Sequence, residues 1–228
     1  MKLNYREQFS FNQDRPKQLV IFLHGYGANG DDLISLADFF QSTLPEAVFI
    51  SPDAPFECEN QPFGRQWFSL KSHAAPILNK EIKATYPILN EFIDDMLIKY
   101  DLEDKDLILI GFSQGAMMAL YTGIRREHKP AALVSYSGAL IGKELLPFDK
   151  KSAPEILLIH GSDDSVVKVD ETITAAKAFC ENKIPAEYYI FNGLAHNIDL
   201  NVIEATQVFL DKILKIHSNL FKKDIGKS

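Results

Sequence analysis

The sequence predicts an α/β fold, with a mostly parallel central sheet flanked by helices on both faces. Three observations lead there. Short apolar runs such as Leu107-Ile108-Leu109-Ile110 recur without polar alternation, as strands buried on both faces require. Longer segments of helical period separate these runs. Strand and helix then alternate along the chain, which implies right-handed crossovers between parallel neighbours.

Each element can be justified in order. Leu3–Phe11 carries Leu3, Tyr5, Phe9 and Phe11 at odd positions, and Glu7 breaks the alternation, so an edge strand is expected. The buried-type strands are Leu19–Leu23, Ala47–Ser51, Leu107–Gly111, Ala132–Tyr136, Ile156–His160 and Glu187–Phe191. Helical patterns cover Asp31–Thr43, Ile77–Tyr100, Gln114–Arg126, Asp170–Asn182 and Asp199–Ser218. Asp170, ahead of Glu171-Thr172-Ile173, reads as an N-cap. In the last helix Leu200, Ile203, Val208, Leu210, Ile213 and Leu214 form a one-sided stripe that core packing explains.

The 228 residues suit one domain, 1–228, with a core of about 19–214 and a mobile tail at 219–228. Such a chain buries about 70% of its unfolded surface and needs no disulfide or metal to hold its core. With 46% hydrophobic and 24% charged residues it is neither disordered nor fibrous. The net charge of −7 argues against a nucleic-acid partner, because phosphate binding needs clustered Lys and Arg. Lys222, Lys223 and Lys227 read as a solvated end. Cys58 and Cys180 have no metal-type spacing and read as free thiols in a reducing compartment. Met1–Ser10 shows no apolar signal region, and no apolar run is long enough for stable membrane insertion, so a cytoplasmic location is expected.

In open α/β sheets function gathers at the carboxyl ends of the strands. There the run Leu107–Ile110 leads into Gly111-Phe112-Ser113-Gln114-Gly115 and then an apolar helix. A chain reversing sharply from strand to helix strains the serine backbone, and glycines on either side avoid collisions across the turn. The turn lifts the Ser113 hydroxyl clear of the sheet at a helix N-terminus, where unpaired N–H groups favour negative charge. Ser113 is the candidate nucleophile.

A serine hydroxyl needs an adjacent base, itself oriented by a third group. His128 lies in the charged stretch Arg125–Lys129 and reads as solvated surface, His160 closes a strand and supports a turn, and His217 sits near a helix end. His196 instead follows Glu187–Phe191 through a short loop, which sets its imidazole at the carboxyl edge of the sheet. The acid is expected in the loop after Ile156–His160, where Asp163 and Asp164 are adjacent; spacing alone leaves both open.

Four motifs then carry a resemblance: Leu23-His24-Gly25-Tyr26-Gly27, Gly111-Phe112-Ser113-Gln114-Gly115-Ala116, His160-Gly161-x-x-Asp164-x-x-Val167 and Gly193-x-x-His196. Together, from Leu19 to Leu214, the chain resembles the carboxylesterase, phospholipase and acyl-protein thioesterase family of α/β-hydrolases. The resemblance implies the α/β-hydrolase fold with a minimal lid. It selects Asp164 as the acid and assigns an oxyanion hole to the backbone N–H groups of Tyr26 and Gln114. Lys168 stands where the family usually has proline.

The expected activity is hydrolysis of carboxylic esters or thioesters through an acyl-enzyme, without metal or organic cofactor. A carboxylesterase acting on short- to medium-chain acyl groups is the first reading, with lysophospholipase or acyl-protein thioesterase as alternatives. A non-catalytic binding member of the fold fits less well beside an intact Ser113, Asp164 and His196. A dienelactone-type hydrolase fits less well because its usual cysteine is Ser113 here, and a peptidase because 228 residues leave little room for the extra domain expected of one. Phe56, Phe63, Trp67 and Phe68 could form either an apolar acyl wall or a satellite core under a long loop. Arg65 beside them reads as surface rather than as an anion contact. A homodimer is compatible with these aromatics but not demanded by them.

Overall fold

A computed structural model describes residues 2–11 and 15–225, with side chains as far as Lys215. Nine strands are ordered along the described chain as β1 (Tyr5–Phe9), β2 (Gln18–Leu23), β3 (Ala47–Pro52), β4 (Phe56–Glu57), β5 (Arg65–Gln66), β6 (Leu107–Phe112), β7 (Ala132–Tyr136), β8 (Glu155–Gly161) and β9 (Ala186–Phe191). The helices are α1 (Gly30–Ile34), α2 (Ala37–Phe40), α3 (Ala75–Tyr100), α4 (Gln114–Gly123), α5 (Leu146–Asp149), α6 (Asp170–Glu181) and α7 (Leu200–Ile225).

Seven strands form one sheet in the order β1-β3-β2-β6-β7-β8-β9. Only β1 runs antiparallel, pairing with β3 at the edge that its broken alternation suggested. The other pairs are parallel. Side chains alternate between two apolar layers. Leu19, Ile21 and Leu23 of β2 join Leu107 and Leu109 of β6 on the face covered by α3, α4 and α6. Val20 and Phe22 join Ile108 and Ile110 on the face covered by α1, α2 and α7. Continuous apolar runs were needed because both faces are dry.

Several expectations change. The helix expected over Asp31–Thr43 is interrupted after α1, where Leu36 N–H bonds Leu33 O at 3.0 Å and Phe39 N–H bonds Leu36 O at 3.1 Å. These tighter turns keep Leu33, Leu36, Ala37 and Phe40 on the buried face, so the period survives without a continuous α-helix. Asp170 is not the N-cap of α6. Val169 holds that place with helical angles, and Asp170 lies in the first turn, where a carboxylate suits the dipole. The charged stretch after α4 is split: His128 is exposed, but Arg125 and Arg126 are buried. Arg125 makes two bonds to Asp149 at 2.9 and 3.0 Å, and Arg126 pairs with Asp104 and Asp94. The last helix continues to Ile225, past the expected end at Ser218. The side chains of His217, Lys222, Lys223 and Lys227 lie outside the described residues, as does the end of the expected tail. Cys58 and Cys180 are free thiols.

The parallel strands all point one way. Their carboxyl ends therefore deliver the loops after β2, β6, β8 and β9 to one rim of the sheet.

Candidate active site

Ser113 stands between β6 and α4 with φ 54° and ψ −118°, a left-handed conformation that a side chain rarely adopts. Two close approaches hold it there. A Cβ on Gly111 would come within 2.4 Å of the Gly115 backbone, and one on Gly115 within 1.9 Å of the Leu23 carbonyl oxygen. Only glycine lets strand, turn and helix approach this closely. The Ser113 N–H is anchored to Tyr136 O of the neighbouring strand at 2.8 Å, and Met117 N–H begins the helix by bonding Ser113 O at 3.1 Å.

On the same rim His196 Nδ1 lies 2.6 Å from Asp164 Oδ2. The carboxylate can only accept, so Nδ1 carries the hydrogen and Nε2 is left with a lone pair while the ring is neutral. Asp164 Oδ1 takes the N–H groups of Val166 and Val167, each at 2.9 Å. Burial pushes the Asp164 carboxyl up, but the bonds from His196, Val167 and Val166 outweigh it and hold its pKa below the usual carboxylate value. Asp163 takes the Ser162 hydroxyl instead at 2.6 Å and is exposed. The structure thus brings Asp164, not its neighbour, to the imidazole. The His196 ring also packs 4.7 Å from the ring of Phe112, the residue before Ser113.

The loop after β2 closes over Ser113. A Cβ on Gly25 would lie 3.5 Å from Ser113 Cβ, so the Gly25–Tyr26 peptide sits against the serine. His24 is fully buried; its Nε2 accepts the Ala54 N–H at 3.0 Å, and its Nδ1 lies 2.7 Å from Gly25 O. Accepting at Nε2 fixes the hydrogen on Nδ1, and burial, against the Gly25 bond, holds this ring below the ordinary histidine pKa and neutral. In a planar trans peptide C=O and N–H point oppositely, so anchoring Gly25 O turns the Tyr26 N–H away from His24. The Tyr26 phenol, pushed up to about 12 mainly by burial, stays un-ionised.

Gln114 follows the serine, and its buried side chain braces the two loops. Its Oε1 accepts Trp67 N–H at 2.9 Å and its Nε2 donates to Phe68 O at 2.8 Å. Trp67 Nε1–H in turn donates to His24 O at 2.9 Å.

Ser113, Gln114, Tyr26 and His196 open into one cavity of about 520 Å³, within the range of small-molecule sites. Its apolar wall is Leu70, Leu78, Met117, Ile141, Val166 and Val167, and His73, Lys168 and Glu171 stand among its lining. Phe56, Phe63, Trp67 and Phe68 are not among the residues lining it. The β4–β5 hairpin turns Trp67 and Phe68 inward, where they are buried in the core, while Phe63 caps the hairpin turn and is 99% exposed. Phe56 is likewise exposed, at the hairpin's other strand. Arg65 is neither free surface nor a cavity residue: its guanidinium donates to Ala54 O at 2.9 Å and Pro55 O at 2.8 Å.

Sequence reasoning missed the apolar wall and the His24–Trp67–Gln114 brace. The apolar pair Val166-Val167, separated from Asp163-Asp164 by Ser165 alone, was the available signal for the wall. Among the described residues no group of three or more His, Cys, Asp or Glu side chains is placed to hold a metal ion. No helix among them is long and apolar enough to cross a membrane.

Comparison with known proteins bears on the fold and the family. The phospholipase/carboxylesterase family model matches residues 7–214. Esterase YpfH of Escherichia coli is 27% identical over 187 residues, covering 82% of this chain and 79% of its own. Acyl-protein thioesterase 1 homolog 2 of Dictyostelium discoideum is 30% identical over 216 residues, covering 86% and 92%. The crystal structure of esterase PE8 superposes with a TM-score of 0.89 at 36% identity, covering 93% of this chain and 100% of that one. The chain is an α/β-hydrolase of the phospholipase/carboxylesterase family, a hydrolytic enzyme of the esterase and thioesterase type.

Proposed function

We propose that the chain is a serine carboxylesterase in which Ser113 is the nucleophile, His196 the general base and Asp164 its orienting acid. One observation carries this reading: the Asp164–His196 bond of 2.6 Å opens on the same cavity as a serine held at φ 54°.

The chemistry follows from those positions. Ser113 Oγ attacks the acyl carbon while His196 Nε2 takes its proton; Asp164 holds the opposite N–H and stabilises the imidazolium. The carbonyl oxygen becomes an oxyanion, which the N–H groups of Tyr26 and Gln114 receive. Two preorganised donors of this kind lower such a barrier by several kcal/mol, roughly 3 each. As the intermediate collapses, the C–O or C–S bond breaks and His196 returns its proton to the leaving alcohol or thiol. Water, deprotonated by the same imidazole, then attacks the acyl-enzyme, and the second collapse releases the acid and restores Ser113.

The apolar wall supports acyl chains of short to medium length, with Leu78 and Met117 along their path. The acyl-protein thioesterase names of relatives add thioesters as an alternative and the family description adds phospholipids, and the cavity favours neither over simple esters. Turnover of p-nitrophenyl butyrate by Ser113→Ala tests the assignment: loss of several orders of magnitude is expected, and near wild-type turnover would overturn it.

A further inference from the structure

Phe112 takes no part in the scheme above, yet its ring centre lies 4.7 Å from that of His196, with the two planes at 41°. That separation and tilt fall within the range of attractive ring contacts. The same side chain reaches the loop after β2: a Cβ on Gly25 would stand 3.3 Å from Phe112 Cδ1 and 3.7 Å from its Cε1. Phe112, Gly25, Ser113 and His196 all line the one cavity. His196 itself belongs to the turn-and-loop stretch 192–199 between β9 and α7, where no helix or strand fixes its backbone. Leu194 and Ile198, two residues to either side of it, pack against the same core layer as Phe112.

Asp164 holds the imidazole through a bond at Nδ1. A bond at one point sets the distance of a ring but leaves its tilt soft, and the tilt decides where Nε2 lies relative to Ser113 Oγ. Resting on the triad assignment above, we propose that Phe112 is a positioning residue: its ring sets the tilt of the His196 imidazole, and so the aim of Nε2 at Ser113. Phe112 and Ser113 are successive residues at the end of β6, so the ring that orients the base is fixed to the same backbone as the nucleophile. A side chain that merely filled the space beside Gly25 would need only apolar bulk. Setting the tilt of a neighbouring ring needs a flat face.

Substitution separates bulk from face, and a second background shows which group Phe112 acts through. Phe112→Leu, Phe112→Tyr and His196→Ala are made singly, with Phe112→Leu and His196→Ala also combined, and kcat and KM are measured on p-nitrophenyl acetate. Phe112→Leu should lower kcat about tenfold with KM within about twofold, and Phe112→Tyr, which keeps the ring, should retain most of the wild-type kcat. In the His196→Ala background turnover rests on the oxyanion donors and substrate binding. There Phe112→Leu should cost less than about twofold, because the group it acts through is gone. A tenfold loss persisting in that background would place the effect in the Gly25 loop or in packing, and would overturn the proposal. An undiminished kcat in Phe112→Leu, a KM change as large as that in kcat, or a tyrosine variant no better than leucine would overturn it equally. Should Phe112→Leu fail to fold, Phe112→Met fills the space without a flat face and carries the same expectations. A His196→Ala single variant with undiminished kcat would instead bring down the triad assignment itself, and that pattern is distinct from any of these.

Discussion

The His24 imidazole and the Gly25 carbonyl are 2.7 Å apart, and that single bond fixes the peptide that carries the Tyr26 N–H. Ala28 N–H reaches the same oxygen at 3.3 Å, but the imidazole, set by Ala54 N–H on its other nitrogen, is the closer and better-anchored partner. If this bond keeps the oxyanion donor aimed, His24→Phe should lower kcat by about a hundredfold while leaving KM nearly unchanged, as for loss of one donor. His24→Asn, whose amide can stand near Nδ1, should recover part of the loss. Steady-state kinetics on one soluble ester reads both.

The depressed Asp164 carboxyl has a consequence for acid stability. Its folded pKa lies below its unfolded value of about 3.9, so the unfolded chain binds the proton more readily. The stabilisation is present above that unfolded value and is lost as pH falls through the folded one. Chemical unfolding of wild type and Asp164→Asn should show a difference that is constant near neutrality and shrinks below about pH 4. A difference that grows on acidification contradicts the sign.

The cavity wall makes a claim about acyl length. Leu78→Trp fills space beside Ser113 without touching the proton relay, so it should cut kcat/KM for p-nitrophenyl octanoate about tenfold relative to the acetate. Equal losses on both esters would place the acyl chain elsewhere.

Arg126 is a stability element remote from this chemistry. Its guanidinium pairs with the buried Asp104, with Asp94 at 2.7 Å and with Asn90 at 2.9 Å. Arg126→Ala leaves the Asp104 carboxylate buried and unpaired, which should cost about 3 kcal/mol in denaturant unfolding. KM of the folded variant should not move.

Much of this architecture was legible because it follows from local rules. The apolar runs of β2, β6 and β8 announced a sheet covered on both faces, and Gly111 and Gly115 announced a turn that admits no side chain. His196 was legible by its place after β9. The choice of Asp164 over Asp163 was not: it depends on which carboxylate the turn aims at the imidazole, and the resemblance supplied it. The apolar wall of the cavity escaped for a related reason. Trp67 and Phe68 are large and apolar whether they line a cavity or fill a core, and the β4–β5 hairpin that decides this is only two residues per strand. Arg125 and Arg126 looked solvated because their acidic partners come from distant segments.

The central claim is that Ser113 is the nucleophile. Incubation with a fluorophosphonate, followed by digestion and mass spectrometry, locates any covalent adduct directly. An adduct on Ser113, formed at a rate that falls sharply in His196→Ala and absent from Ser113→Ala, is the predicted result. A labelled serine elsewhere, or labelling of wild type no faster than of His196→Ala, would contradict it.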